Sequence, residues 1–214
     1  MSKPSIARTI QLVERPVFRT REIAALRGSS VGAVSQALRS LERQGVLMRA
    51  ARGVWCVPSD SRFNRFLLVN YLNGAHRAYV SFVSALHLHG IIEQIPHVVY
   101  AATTAHSHIE TTPLGKYSFH QIDPKFFAGF DWYRDENSFL IASGEKALVD
   151  SLYISTRKGR RFGSLPELEL GREFSIRRAK AWVRQISDSR IRGVVATELE
   201  TLWQRWGQVA AGQT

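Results

Sequence analysis

"SSVGAVSQALRSLERQGVLMRAARGVW", residues Ser29 to Trp55, decides the fold. Ser29 or Ser30 supplies a hydroxyl that caps the orphan amides of a helix start. Val34, Leu38 and Leu41 then fall on one helical stripe, with Gly32, Ser35, Gln36, Arg39 and Arg43 turned away from it. Gly45 stops the helix. The runs "VLMRA" and "GVWCVP" follow as two short strands around a turn containing Arg52 and Gly53, which makes a hairpin with Arg49 and Arg52 at or near its tip. The outward face of the helix is small at its start and polar and basic further along. That suits close approach to a groove, where Gln pairs bidentately with adenine and Arg with guanine or a phosphate.

Upstream, the segment from Pro4 to Arg15 places Ile6, Ile10 and Val13 on one face of a first helix. Pro16 interrupts it. Thr20 stands where its oxygen caps "REIAALRG", a short amphipathic helix through Ile23 and Leu26, with Glu22 in the first turn and Gly28 at the stop. Three helices and a basic hairpin make a winged helix-turn-helix. In such a unit Thr20 and Ser30 donate to phosphates and set the docking register, while Ser35, Gln36, Arg39 and Arg43 lie along the recognition helix. Gln36 and Arg39 are the candidates for base edges; Arg49 and Arg52 on the wing reach phosphates or an adjacent minor groove.

Charge agrees with this reading. The 214 residues hold 29 Lys and Arg against 18 Asp and Glu, a net +11, with a pI near 10.4. Residues 1–60 alone hold ten Lys and Arg against four Asp and Glu. Such a balance favours a polyanionic partner through long-range attraction and counterion release, double-stranded DNA first and an anionic membrane second. No apolar run approaches the ~20 residues that span a bilayer, and Arg8, Glu14, Arg15 and Arg19 break up what would otherwise be a signal-peptide core. A single Cys56 leaves no internal disulfide and no cysteine-rich zinc site. The expectation is a cytoplasmic protein with no membrane association.

Pro58, Ser59, Asp60 and Ser61 form a polar break, so the sequence predicts a winged helix-turn-helix domain over 1–60 and a second domain over 61–214. "RFNRFLLVNYL" reads as the opening helix of that second domain. Ser81 caps a helix ending at Gly90; "HVVYAAT", "GKYSFHQI" and "SFLIAS" are strands; and Ser143 caps "GEKALVDSLYIS". Two more helices are expected near Ser175 to Ile186 and Arg192 to Trp206, the latter with Leu199, Leu202, Trp203 and Trp206 on its apolar side. The fold class is therefore α+β, a winged helix-turn-helix followed by a mixed sheet-and-helix domain.

The N-terminal winged helix followed by "YVSFVSALHLHGIIEQIP", "VVYAAT" and "IASGEKALVDSLY" resembles the AbiEi family of antitoxins and transcriptional regulators from bacterial abortive-infection systems, over residues 4 to about 155. Gly144 stands where the family commonly has proline. The resemblance implies a bifunctional protein. Its winged helix represses its own operon by binding promoter repeats, and its C-terminal domain counteracts a nucleotidyltransferase-like toxin without a stable complex.

Other chemistry finds less support. His87, His89, His97, His106, His108 and His120 cluster along the chain, but His87 and His89 diverge by about 200° on a helix and few acids stand near, so no metal site is expected. Glu145 and Lys146 are adjacent, without the one-residue gap of a metal-dependent nuclease arm. Glu145 reads as a helix-start carboxylate meeting orphan amides, and Lys146 as solvated or paired nearby. No nucleophile elbow or phosphate-cradling glycine loop appears, so neither an enzyme nor a cofactor is expected. Arg157, Lys158, Arg160 and Arg161 form a possible second basic patch. The rival reading is an RNA- or protein-interaction module in which the winged helix is a scaffold.

Overall fold

The protein is described by a computed structural model over residues 4–134, 138–158, 165–171 and 173–212. It divides into two compact units, one of residues 1–72 with 111–114 and one of 73–110 with 115–214. The mixed α+β class is as the sequence indicates.

In the first unit, Ser5 Oγ accepts the Arg8 amide and starts helix α1 (Ile6–Val13), which closes on a left-handed Glu14. Strand β1 (Val17–Arg19) follows, unanticipated because three residues after a proline carry no readable period. Helix α2 (Thr20–Arg27) begins at Thr20 rather than after it. Thr20 is therefore not the cap: the Glu22 carboxylate takes the Arg19 amide at 2.6 Å instead. Leu26 also departs from expectation. It is 62% exposed, and the buried face of α2 is made by Ile23 and Ala24.

Gly28 ends α2 at φ +54, a left-handed turn that a side chain would strain. Three residues later helix α3 (Val31–Arg43) starts, capped by Ser30, whose Oγ accepts the Ala33 amide at 3.2 Å. The bonds Gly45 N to Glu42 O and Val46 N to Leu41 O close its far end. Strands β2 (Met48–Ala51) and β3 (Val54–Cys56) form the wing, and β3 lies between β1 and β2 in an antiparallel sheet. Phe18, Ile23, Ala24, Val34, Leu38, Leu47 and Trp55 make the core, with Ile6, Ile10, Val13 and Leu41 packed against it. Cys56 is buried in β3, and burial pushes its thiol pKa up to about 11, so it is an inert core group.

Residues 61–72 belong to this first unit instead of opening the second. They form a 3₁₀ turn at Arg65–Leu68 and one helical turn, α4 (Val69–Leu72). Long-range bonds that no local pattern reveals hold them: the Tyr71 hydroxyl donates to Val17 O at 2.8 Å, and the Arg19 guanidinium donates to Tyr71 O at 3.0 Å.

The second unit is a six-stranded sheet flanked by helices. Its strands in chain order are β4 (Ala78–Val80), β5 (Val98–Thr103), β6 (His108–Thr112), β7 (Gly115–Gln121), β8 (Phe130–Trp132) and β9 (Leu140–Ala142), and they lie in the order β6-β7-β5-β4-β9-β8. Antiparallel pairing of β4 with β5 sits between the parallel pairs β5–β7 and β4–β9. Helix α5 (Phe82–Leu88) connects β4 to β5; α6 (Gly144–Lys158), α7 (Ile176–Arg184) and α8 (Ser189–Gly212) follow the sheet. The sequence reading finds β5, β7, β9 and the three later helices. It misses β4 and β8, which are only three residues long, and β6, whose polar "HIETT" lacks an apolar face.

Candidate nucleic-acid interface

The core stripe of α3 is Val34 and Leu38, both buried, with Leu41 half-buried. Helical geometry then forces the opposite face outward, and Gln36, Arg39 and Arg43 are exposed on it, with Ser35 half-buried at its margin. On the wing, Arg49 and Arg52 are exposed, and Arg49 Nε reaches the Ala51 carbonyl at 3.4 Å, which holds the side chain along the strand. Among the described residues no acidic side chain pairs with Arg39, Arg43, Arg49 or Arg52. Two other arginines of the unit do meet acids, Arg15 with Glu22 at 3.5 Å and Arg62 with Asp60 at 2.7 Å. The arginines of α3 and the wing carry positive charge with no such acid beside it.

Ser30 is exposed, but its oxygen is already the acceptor of the α3 cap, which leaves its hydroxyl hydrogen free to donate outward. Thr20 is different. It is 5% exposed, accepts the Trp55 indole N–H at 2.8 Å and faces the Gly53 carbonyl at 3.5 Å. A phosphate cannot reach it, so the contact expected from its position is corrected to an internal one. Together with the bond from Thr20 N to Gly53 O at 2.9 Å, it ties the wing turn to the head of α2. Thr20→Val, which keeps the volume and strands the indole N–H, should lower unfolding stability by about 1–3 kcal/mol. The salt dependence of DNA binding should stay as in wild type, because no phosphate contact is removed; a shallower salt slope would return Thr20 to the interface.

The second unit holds a polar cluster that sequence reading missed. Of the two expectations for Lys146, solvated or paired nearby, the structure has the pairing, and it is fully buried. Its ammonium pairs with Asp150 one turn along α6, receives the face of Phe126 at 3.7 Å, and donates to the Tyr79 hydroxyl at 3.1 Å. Tyr79 and Ser81 donate to the other Asp150 oxygen at 3.0 and 2.7 Å. Burial pulls the Lys146 ammonium below its ordinary value against the pull of Asp150, and pushes the Tyr79 phenol well above its own. The i, i+4 spacing of Lys146 and Asp150 was visible; that both face the sheet was not. This cluster staples α6 to β4.

Glu145, at the head of α6, turns to a different helix start. Its Oε1 accepts the Ser175 amide at 2.9 Å and the Arg178 guanidinium at 2.7 Å. It therefore meets the amide that precedes α7, along with an arginine. Burial raises its pKa, but the Ser175 and Arg178 bonds outweigh burial and hold it below the ordinary carboxylate value. A folded-state pKa below the unfolded one adds stability above the unfolded value of about 4.3, and that stability is lost as pH falls through the folded value. Glu145→Gln should accordingly flatten the acid limb of a Tm-versus-pH curve below about pH 5. An unchanged limb would remove Glu145 from it. Beside this pair an open groove of about 600 Å³ runs past Phe130, Trp132 and Trp182. Its floor needs Gly129, where a Cβ would strike the Trp182 ring at 2.6 Å.

His89 Nε2 sits 2.7 Å from the Ala142 carbonyl, and His120 pairs with Ser118 at 3.0 Å. No three His, Cys, Asp or Glu side chains gather into a metal-ligand group among the described residues. Of the second basic patch, Arg157 lies over the Tyr153 ring and donates to its hydroxyl at 3.2 Å. Arg160 and Arg161 lie outside the described residues, and only the backbone of Lys158 is described, at the end of α6. No described helix is long and apolar enough to cross a membrane.

Residues 9–58, from α1 through the wing, match the family model described as transcriptional regulator, AbiEi antitoxin. The likeness to that family thus covers the winged helix-turn-helix unit alone. The matched span ends before "YVSFVSALHLHGIIEQIP" and "IASGEKALVDSLY", so it does not extend to the second unit. No curated protein matches the chain.

Proposed function

We propose that this chain, with its AbiEi-like N-terminal unit, is a transcriptional autorepressor and antitoxin that binds double-stranded DNA at repeats in its own promoter. The observation that carries the proposal is the set of exposed, unpaired arginines on α3 and the wing of a helix-turn-helix unit. Base edges are met by Gln36 and Arg39, with Ser35 beside them, and phosphates by Ser30, Arg43, Arg49 and Arg52. The second unit supplies the antitoxin activity, countering a nucleotidyltransferase-like toxin without a stable complex, in the cytoplasm. Neither unit is assigned an enzymatic reaction, a metal or a cofactor. Arg157, Lys158, Arg160 and Arg161 offer a second basic patch for the same polyanion.

The test is a titration of the purified chain against the DNA upstream of its own gene and against a scrambled duplex at two salt concentrations. Tighter binding upstream, with both affinities falling as salt rises, is the expected result. Equal affinity for the two duplexes would overturn the operator reading and favour the second unit acting on RNA or protein with the winged helix as scaffold.

A further inference from the structure

Val31 is the first residue of α3, and its side chain is 55% exposed. One turn on, Val34 is buried in the core, so burial of the apolar stripe does not extend to the head of the helix. Val31 heads a ridge with Ser35 and Arg39, at i, i+4 and i+8, the same ridge that carries the base-reading arginine. Beside it Gly32 faces open space, with no atom within 4 Å of a Cβ built there, and Ala33 is exposed as well. The first turn therefore presents a small, uncharged, methyl-bearing surface at the end of a recognition helix that contacts base edges. Among the base edges of the major groove, the C5-methyl of thymine is the apolar group. A side chain with no donor or acceptor gains there only by removing methyl surface from water.

We propose that Val31 is a specificity-determining residue that packs against a thymine C5-methyl, on a base pair next to the one met by the Ser35–Arg39 ridge. This rests on the DNA-binding reading of α3. It adds a preference for thymine that hydrogen bonding from Gln36 and Arg39 does not supply.

The full-length protein is used to select the tightest duplexes from a randomised pool, and each thymine of the selected site is then replaced in turn by deoxyuridine. That exchange removes one methyl and keeps every base-pairing and hydrogen-bonding group. For wild type, one thymine per half-site should be sensitive, its loss weakening binding about three- to fivefold. Val31→Ala, whose unfolding midpoint should match wild type because the side chain is exposed, should bind the thymine site more weakly and lose nothing further with deoxyuridine. Wild-type indifference to every deoxyuridine, or equal sensitivity in Val31→Ala, overturns the role of Val31 and leaves the DNA reading standing. A pool that enriches no sequence overturns both.

Discussion

Asp150→Ala should destabilise the second unit by about 3–5 kcal/mol. The reason lies in what the substitution leaves behind. Lys146 is fully buried, with the Asp150 carboxylate as its countercharge and the Tyr79 hydroxyl and Phe126 face as its other neighbours. Removing the carboxylate strands a buried ammonium and also takes the acceptor from Tyr79 and Ser81. The chain must then deprotonate Lys146, hydrate the site or unfold, and each route costs several kcal/mol. The charge argument can be separated from simple loss of packing with Lys146→Met combined with Asp150→Asn. This pair removes both charges while Asn keeps an acceptor oxygen for the two hydroxyls, so it should recover most of the loss seen in Asp150→Ala. Denaturant unfolding followed by near-ultraviolet circular dichroism measures both. A loss under about 1 kcal/mol in Asp150→Ala would mean that water reaches Lys146 in the folded protein.

Arg39→Ala should weaken binding to the preferred DNA site by about ten- to a hundredfold, some 1–3 kcal/mol, and flatten discrimination between that site and its single-base variants. Arg39 is exposed and unpaired, so its removal should leave the folded unit intact, and the change in affinity reports the interface alone. Arg52→Ala is the useful comparison. In the proposed interface it meets phosphate from the wing, so its loss should weaken all duplexes alike and reduce the salt slope by about one ion. If Arg39→Ala instead lowered affinity uniformly, Arg39 would be a phosphate contact and Gln36 would carry the base reading. Competition binding over a panel of single-base variants distinguishes the two.

Much of the first unit was legible because its signals are local. The Ser30 cap, the Val34–Leu38–Leu41 stripe, the Gly28 turn and the paired runs around Gly53 each act within a few residues, and each is found where the spacing places it. The failures are also physical. Thr20 has the chemistry of a helix cap and of a phosphate donor, yet an indole 35 residues away claims its oxygen. Leu26 has the spacing of a core residue, but α2 is short and sits so that Ile23 and Ala24 fill the space. Residues 61–72 looked like the start of a new domain because Pro58 to Ser61 are polar; Tyr71 and Arg19 tie them back to the first.

Sequence alone determined the winged helix-turn-helix, its basic outward face and the mixed character of the second unit, because periodicity, caps and charge are properties of neighbouring residues. Only the tertiary structure decided which polar groups turn inward. Thr20, Lys146 and Asp150 are ordinary surface residues by type, and they are buried because partners distant in the chain satisfy them. Burying a polar group is unfavourable until its hydrogen bonds are made, and for Thr20 and Asp150 those bonds come from Trp55, Tyr79 and Ser81, 35 to 71 positions away.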